Sequence, residues 1–366
     1  MKKKLFCILF AAFILVGCGR QEPLVIGFIG GLTGPNADNG QAGLDAVTLA
    51  IEEFNRDGGV DGRLVELLAK DDGQSKEKAT QSAQALVNAK VQAIVGPFTS
   101  GMAEVIVPIA GKAGIFEVSP TITSMDFYGK DDNLFRINRT TRDNAIDYAR
   151  FLSARGIQHV SVAYDLRNKS FTQSWLAEFQ TALLKEGGRV SVAVPYTSSS
   201  ETPFEQVVTD MLKAKPQGLL FISGALDVAR LAQHSRRLAP RLPIIASEWA
   251  ATEQLIDLGG KVIEGLIIVQ NYDRDDASDR FRQFSQAYFK RFQRDPGYSS
   301  VSAYDAATVV LQALKQRQKD ENLKTAALRS GPYPGLQQTI TFDANGDTQR
   351  KIFFTEVRNG QYRKID

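Results

Sequence analysis

The residues best suited to bind a small anion lie in two short segments that are rich in hydroxyl groups. In PFTSG (97–101), Thr99 and Ser100 come directly before an expected helix. In SPTITS (119–124), four of the six residues carry a hydroxyl group. Helix capping alone would explain Thr99 and Ser100, but the N–H groups at a helix start also attract a carboxylate, by up to about 2 kcal/mol when partly buried. The two segments together predict an anion-binding site.

A third segment is suited to the opposite charge, because it places an acid beside an aromatic ring. Glu248 and Trp249 directly follow an apolar run, PIIAS (243–247). A carboxylate binds an ammonium group by charge pairing, and the face of an indole ring attracts the same group through a cation–π interaction. The alternative is that Glu248 only starts a helix and Trp249 only packs in the core. The functional interpretation predicts an amine-binding site here.

The sequence carries no motif for catalysis, for a metal or for a nucleotide cofactor. With only His159 and His234 it cannot form a three-histidine zinc site, and it has no H-E-x-x-H, G-x-S-x-G or G-x-x-x-x-G-K-[ST] motif. The glycines of GFIGGLTG (27–34) lack the G-x-G-x-x-G spacing of a dinucleotide-binding loop. An Asn-Gly turn explains DANGD (343–347) better than a calcium loop does, because the later ligand positions hold Thr and Phe. We therefore expect no catalytic residue, no metal and no cofactor.

Residues 1–17 are typical of a cleaved secretory signal. Three lysines precede twelve apolar residues, Leu5–Val16, a run shorter than the roughly 20 residues that a membrane-spanning helix needs. The overlapping LVGC (15–18) resembles the bacterial lipobox, which implies lipidation of Cys18 and a lipid-anchored tether at 18–23. We expect the protein in the cell envelope, on the periplasmic face of an outer membrane or on the outer leaflet of a single membrane. The alternative is a soluble secreted protein that is cut nearby.

The net charge of +3 arises in the same N-terminal segment. Subtracting Lys2, Lys3 and Lys4 leaves 41 basic residues against 41 acidic ones. The remaining chain is therefore neutral overall, which gives no support for nucleic-acid binding, although this sum does not test for a local basic patch. Both cysteines, Cys7 and Cys18, also lie in this segment, so we expect neither a disulfide nor a cysteine nucleophile in the mature domain.

The elements that would position the three polar segments are strands that alternate with amphipathic helices. Continuous apolar runs, which are typical of parallel strands, lie at 24–30, 64–70, 91–96, 116–118, 159–164, 189–194, 218–223, 243–247 and 265–270. Apolar residues at helical spacing include Leu44, Val47, Ile51 and Phe54; Phe171, Trp175, Phe179 and Leu183; and Val301, Tyr304, Leu311 and Leu314. The alternation predicts an α/β fold with two lobes, each built on a parallel sheet. Ligands of such sheets bind at the carboxyl ends of the strands, where the three segments lie.

The stretch from residue 25 to residue 73 closely resembles the opening of the type I periplasmic binding proteins of the leucine/isoleucine/valine-binding family. It has the family's G-P-x-x-x-x-G turn, its A-I-x-x-x-N-x-x-G-G-(V/I)-x-G segment and its acidic pair DD after the second strand. VGPFTSG (95–101) and VSPTIT (118–123) match the next two blocks, and the resemblance extends over essentially all of the chain after the signal. It implies two Rossmann-like lobes that are joined by three crossings and close on a small ligand.

The resemblance also implies how the chain divides between the two lobes. The expected crossings lie near 138–142, 270–275 and 331–336. The expected division is a first lobe of 24–139 plus 272–332 and a second lobe of 140–271 plus 333–366.

For the ligand, the resemblance implies that Ser100 and the segment 121–123 hold an α-carboxylate and an amine, and that Glu248 pairs with the amine. The expected ligand-binding residues are Thr99, Ser100, Thr121, Ile122, Thr123, Phe171, Leu226, Glu248 and Trp249. The branched-chain pocket is not reproduced, because Asn39 stands where Tyr is frequent and Leu226 falls where an aromatic residue is expected. The ligand's side chain therefore stays open. An amino acid or a similar zwitterion is favoured, with amides, urea-like solutes and aromatic acids as alternatives.

These features predict a lipid-anchored binding protein, without enzymatic activity, that delivers a small zwitterion to an ABC importer. The expected partners are the small-molecule ligand, the permease and ATPase of the importer, and the membrane through the lipid anchor, but no nucleic acid. The alternative is a sensor or an envelope accessory protein that uses the same fold without a role in transport. A secreted enzyme is the third hypothesis, and it is the least supported of the three because the catalytic motifs are missing.

Overall fold

The computed structural model describes residues 22–34 and 37–365. The predicted signal (1–17) and the predicted lipidation site, Cys18, lie outside these residues. None of the helices in the described ranges combines the length and the apolar character that a membrane span requires.

Five parallel strands form the first sheet, in the order β2-β1-β3-β4-β5. They are β1 (Leu24–Gly30), β2 (Val65–Asp71), β3 (Ala93–Val95), β4 (Phe116–Ser119) and β5 (Leu134–Arg136). Phe28 and Ile29 are adjacent on β1 and both are fully buried, but they pack in different core clusters. The sheet is therefore covered on both faces, which explains why its strands read as continuous apolar runs.

A second sheet has seven strands in the order β14-β13-β10-β9-β8-β6-β7. Its parallel part consists of β6 (His159–Asp165), β7 (Arg189–Tyr196), β8 (Gly218–Ile222), β9 (Ile244–Ala246) and β10 (Ile267–Gln270). The remaining strands are antiparallel and comprise a separate pair, β11 (Tyr333–Pro334) and β12 (Thr339–Ile340), and the last two strands of the second sheet, β13 (Phe353–Arg358) and β14 (Gln361–Lys364).

The predicted parallel strands are all present, and their bounds agree with the prediction to within two residues. Strands β5, β11 and β12 were not predicted, and neither were the antiparallel hairpin strands β13 and β14. Asn359 and Gly360 alone connect them, and both residues have positive φ angles of 53° and 67°. This is the backbone that a two-residue hairpin turn requires, and hairpin strands are antiparallel by construction.

The helices cover the faces of the two sheets. In the described residues they are α1 (Ala37–Arg56), α2 (Lys76–Asn88), α3 (Ser100–Lys112), α4 (Thr141–Ala154), α5 (Lys169–Lys185), α6 (Phe204–Leu212), α7 (Ala225–Leu238), α8 (Glu253–Gly259), α9 (Asp279–Phe292), α10 (Tyr298–Gln316) and α11 (Leu323–Ser330). The predicted apolar face of α5 is confirmed, because Phe171, Trp175, Phe179 and Leu183 are all buried.

We call the first sheet with α1–α3 and α9–α11 the first lobe, and the second sheet with α4–α8 the second lobe. The chain crosses between the lobes three times: after β5, after β10 and before β13. Each lobe is thus built from more than one stretch of the chain. The first and third crossings are in contact, since Arg139 Nη1 donates to the carbonyl of Arg350 at 3.4 Å.

The third crossing lies later in the chain than the sequence analysis placed it. The predicted second lobe includes 333–366, but the contacts of residues 333–348 are with the first lobe. The backbone N–H of Leu336 donates to Asp305 Oδ1 at 2.8 Å, and the hydroxyl of Thr348 donates to the carbonyl of Ile137 at 2.9 Å. The crossing therefore begins after Thr348, because β11, β12 and the turn that follows them pack on the first lobe.

The turn at 343–347 is the predicted Asn-Gly turn. The carboxylate of Asp343 accepts the backbone N–H groups of Asn345 and Asp347 at 2.8 and 3.0 Å, and the carboxylate of Asp347 pairs with Arg136. Gly346 has a φ of 82°, and a Cβ atom there would lie 2.1 Å from the ring of Phe135. Among the described residues no cluster of acidic, histidine or cysteine side chains is arranged to hold a metal ion.

Candidate functional site

A small cavity lies between the two lobes, at the carboxyl ends of the strands. Its volume is about 20 Å³. The lining residues are Phe98, Thr99, Ser100, Thr121, Asn138, Asn168, Phe171, Glu248, Trp249, Asn271 and Tyr298. This volume holds about one water molecule, so in this conformation the side chains nearly fill the space between the lobes.

The start of α3 forms the first-lobe wall of the cavity. The helix begins at Ser100, two residues earlier than predicted, and Thr99 occupies the N-cap position with φ −127° and ψ 140°. The hydroxyl of Thr99 makes no capping hydrogen bond, although the residue type is typical of a cap. The backbone N–H of Gly101 donates to Asn168 Oδ1 of the second lobe at 2.8 Å. The first turn of α3 therefore faces the other lobe across the cavity.

The second hydroxyl segment, 119–124, is tied to the first. Thr121 donates its hydroxyl proton to the carbonyl of Phe98 at 2.6 Å, and Ser119 donates to the carbonyl of Pro97 at 2.6 Å. Thr121 lines the cavity, where its oxygen can still accept a hydrogen bond. The two segments thus lie side by side, as the sequence predicts for neighbouring strands β3 and β4.

Glu248 supplies the only carboxylate among the lining residues, and it comes from the second lobe. Its side chain is 4 % exposed; Oε1 accepts from Asn144 Nδ2 at 2.8 Å and Oε2 accepts from Trp175 Nε1 at 3.0 Å. Burial raises the pKa of Glu248, and these hydrogen bonds oppose that increase only in part. No Lys or Arg lines the cavity. A cation that entered it would therefore be attracted to this carboxylate.

Two aromatic rings flank Glu248 on the second lobe. Phe171 and Trp249 meet edge to face, with ring centroids 5.8 Å apart and an interplanar angle of 77°. Both line the cavity. The indole Nε1 of Trp249 is buried and has no hydrogen-bond partner. The rings form an apolar wall with one polar atom.

The cavity brings together six of the nine predicted site residues. These are Thr99, Ser100, Thr121, Phe171, Glu248 and Trp249. The other three do not line it: Ile122 packs against Ala103 and Leu134 in the first-lobe core, Thr123 is buried, and Leu226 lies on α7.

Five lining residues were not predicted from the sequence. They are Phe98, Asn138, Asn168, Asn271 and Tyr298. Asn138 and Asn271 lie within the crossings that the sequence analysis expected near 138–142 and 270–275. A polar residue at each crossing was the signal that could have identified them, because crossings border the cleft of a two-lobe fold.

Outside the cavity, a set of polar contacts joins the lobes at the cleft rim. The hydroxyl of Ser170, on α5, donates to Asp126 Oδ2 at 2.6 Å and lies 3.0 Å from the hydroxyl oxygen of Ser124. The backbone N–H of Met125 donates to the hydroxyl of Ser174 at 3.1 Å. We call these residues the rim contact. They hold the lobes in the closed arrangement.

Comparisons with known proteins agree with this architecture. A family model described as "Periplasmic binding protein" matches residues 23–361. The Leu/Ile/Val-binding protein BraC3 of Rhizobium johnstonii is 23% identical over 335 residues, which cover 90% of each chain. The isoleucine complex of LivJ, a branched-chain amino acid transporter substrate-binding protein from Streptococcus pneumoniae, superposes with a TM-score of 0.84 at 21% identity, covering 93% of this chain and 97% of that one. A benzoate-bound solute-binding protein of an ABC transporter from R. palustris gives a TM-score of 0.83 at 18% identity, covering 94% of this chain and 95% of that one.

Proposed function

The chain belongs to the periplasmic binding protein family, and we propose that it is the extracytoplasmic substrate-binding protein of an ABC importer with a small zwitterion as its ligand. The observation that carries the choice of ligand is the position of Glu248. Its buried carboxylate comes from the second lobe and lines the same cavity as the first turn of α3. A molecule with a carboxylate at one end and an ammonium group at the other matches this arrangement of charges.

Each part of the proposed ligand has its own set of residues. The α-carboxylate would lie against Thr99, Ser100 and Thr121 at the start of α3. The ammonium group would pair with Glu248, with the ring of Trp249 beside it. Phe171 would complete the second-lobe wall. Ile122, Thr123 and Leu226 are left out of this proposal, since they do not line the cavity.

Binding would require the lobes to move. A cavity of about 20 Å³ is too small for an amino acid, so the lobes must separate to admit one. Closure over the ligand excludes water and strengthens each polar contact. A dissociation constant near 1 μM, about −8 kcal/mol, would suffice for capture and still permit release to a permease.

The proposed location follows from the sequence of the N-terminal segment. We propose that Cys18 carries the lipid and anchors the protein at the outer face of a membrane. Growth with labelled palmitate should label the protein, and Cys18→Ser should abolish the label.

A separate experiment tests the role in transport. Cells that lack the protein should take up the labelled ligand more slowly, because an importer needs its binding protein, whereas the loss of a sensor leaves the importer complete. Normal uptake would favour the sensor.

Calorimetry against the twenty common amino acids tests the proposed site. Ser100→Ala and Glu248→Ala should each weaken binding at least tenfold, because each removes a polar partner from a buried ligand. Glu104→Gln is the matched control, since Glu104 lies on α3 outside the cavity and pairs with the exposed Lys76. Affinities that are the same in wild type, Ser100→Ala and Glu248→Ala would contradict the site. No binding of any amino acid by the wild type would contradict the ligand class.

A further inference from the structure

The cavity walls hold polar atoms that have no partner within the protein. Both amide atoms of Asn271, the Nδ2 atom of Asn138 and the indole Nε1 of Trp249 are buried and make no hydrogen bond. All three residues line the cavity and are more than nine-tenths buried. Asn138 lies in the first crossing, Asn271 lies in the second, and Trp249 lies in the segment after β9. The lining residues thus carry four unpaired polar atoms, which in this orientation of Asn138 are three donors and one acceptor.

Turning the amide group of Asn138 by 180° does not remove this feature. Its Oδ1 accepts from the hydroxyl of Ser302 at 3.3 Å. If the amide were turned, Nδ2 would donate to that hydroxyl and Oδ1 would be left without a partner. In both cases one polar atom of Asn138, a residue that lines the cavity, stays unpaired. For Asn271 the orientation makes no difference, because neither amide atom is bonded.

Unpaired polar atoms select against an apolar ligand. When a hydrocarbon side chain displaces water from such atoms, their lost hydrogen bonds with water are not replaced. A ligand group that bonds to them avoids this loss and is favoured accordingly. The cavity holds about one water molecule, which cannot satisfy all four atoms at once.

We propose that Asn138, Asn271 and Trp249 recognise a polar, uncharged side chain of the ligand, with the chemistry of a carboxamide. The carboxamide oxygen would accept from the amide and indole N–H groups, and its NH₂ group would donate to Asn271 Oδ1. A carboxylate side chain is disfavoured, since no Lys or Arg lines the cavity and Glu248 already places a negative charge there. The inference rests on the proposed function, whose zwitterion carries this side chain.

Two pairs of amino acids of similar size test the preference in the wild-type protein. Calorimetry would compare L-asparagine with L-leucine and L-glutamine with L-methionine. In at least one pair we expect the amide to bind at least about tenfold more tightly than its apolar counterpart. Equal binding within both pairs, or tighter binding of leucine and methionine, would overturn this inference and leave the proposed function intact. Binding of none of the four would overturn the inference, and the full set of amino acids would then decide the proposed function.

A variant and a matched control link the preference to these residues. Asn271→Leu should reduce the amide preference about tenfold or more, because it replaces the unpaired amide with a hydrocarbon of similar shape. Gln270→Met is the control: Gln270 is fully buried and also has two unpaired amide atoms, but it does not line the cavity. It should leave the preference unchanged. If Asn271→Leu fails to fold, Trp249→Phe removes the indole N–H instead, and an unchanged preference in the folded variant would refute the assignment.

Discussion

Glu248 lies beside the cavity with hydrogen bonds from two neutral donors, the amide of Asn144 and the indole of Trp175. Neutral donors orient a carboxylate without neutralising it. Its charge is therefore stabilised less than it is in water, and burial raises its pKa. The charge of Arg139 opposes this increase only in part, and a ligand ammonium group beside the carboxylate would lower the pKa further. The properties of this one residue should therefore appear in the pH dependence of binding.

Ligand affinity should rise with pH as Glu248 loses its proton. The pKa of Glu248 is raised in the unliganded protein, and an ammonium group beside it would lower that pKa again. Binding should therefore release a proton near the pKa of the unliganded protein, and affinity should fall as the pH is lowered through it. Calorimetry at several pH values, in two buffers of different ionisation enthalpy, measures both effects. Glu248→Gln should bind more weakly and without this pH dependence, whereas a pH-independent affinity of the wild type would refute the pairing.

A second buried acid predicts an effect on stability. Glu117, on β4, is fully buried, neither of its oxygens has a hydrogen-bond partner, and burial raises its pKa well above the usual 4.5. The folded state therefore favours the protonated form, so folding stability is highest below the unfolded pKa and falls as the pH rises above it. Glu117→Gln should raise the melting temperature at pH 8 by at least about 2 °C and leave it unchanged at pH 4.

The control for this prediction is Glu66→Gln, which changes an exposed acid on β2 of the same sheet. Its melting temperature should follow that of the wild type at both pH values. A melting temperature of Glu117→Gln below that of the wild type at pH 8 would show that the buried carboxylate contributes to stability through its charge.

At the scale of elements, the rim contact joins α5 of the second lobe to the loop after β4 of the first. The hydroxyl of Ser170 donates to Asp126, and the hydroxyl of Ser124 donates to the carbonyl of Ser170 at 2.9 Å. Both partners belong to the other lobe, so these bonds exist only while the lobes are closed. Ser170 should therefore affect the lifetime of the closed complex more than its formation.

Ser170→Ala should weaken ligand binding about three- to tenfold, with the change in the dissociation rate rather than the association rate. This range corresponds to the ~0.5–1.5 kcal/mol that a typical hydrogen bond contributes. Stopped-flow fluorescence measures the two rates separately. Thr181→Ala is the control, since Thr181 lies on the same helix and its hydroxyl bonds only to Ala177 of that helix. An unchanged dissociation rate in Ser170→Ala would contradict the role of the rim contact.

The sequence predicts those elements whose signals are local. A strand such as β1 is recognised as an apolar run. The polar segments after β3 and β9 are recognised because each directly follows such a run in the sequence. Asn138 and Asn271 were not identified as site residues, because they meet in the cavity only after two separate crossings fold together. The third crossing was misplaced for the same reason, since its position depends on contacts such as Leu336 to Asp305. The antiparallel hairpin was missed although its Asn359-Gly360 turn is a local signal.

For the whole molecule, two buried ion pairs hold the start of the third crossing. Arg136 pairs with Asp347 just before the crossing, and Arg350 pairs with Asp305 at 2.9 Å within it. All four side chains are more than nine-tenths buried. Both pairs anchor residues 347–350 to the first lobe, and only Lys351 and Ile352 separate Arg350 from β13. Motion of the lobes should therefore be a rotation of two rigid bodies about a short hinge.

Spin labels can measure this rotation, because Cys7 and Cys18 are the only cysteines and both can be replaced by serine. Lys76 of the first lobe and Ala177 of the second line the same groove between the lobes. A label pair at Lys76→Cys and Ala177→Cys should give a shorter and narrower distance distribution when ligand is added, by more than about 2 Å. A pair at Lys76→Cys and Lys112→Cys, both in the first lobe, should not change, since each lobe moves as one body. The measurement uses a ligand that calorimetry shows to be bound. A shorter distance between the labels in both pairs, or in neither pair, would contradict closure by hinge rotation.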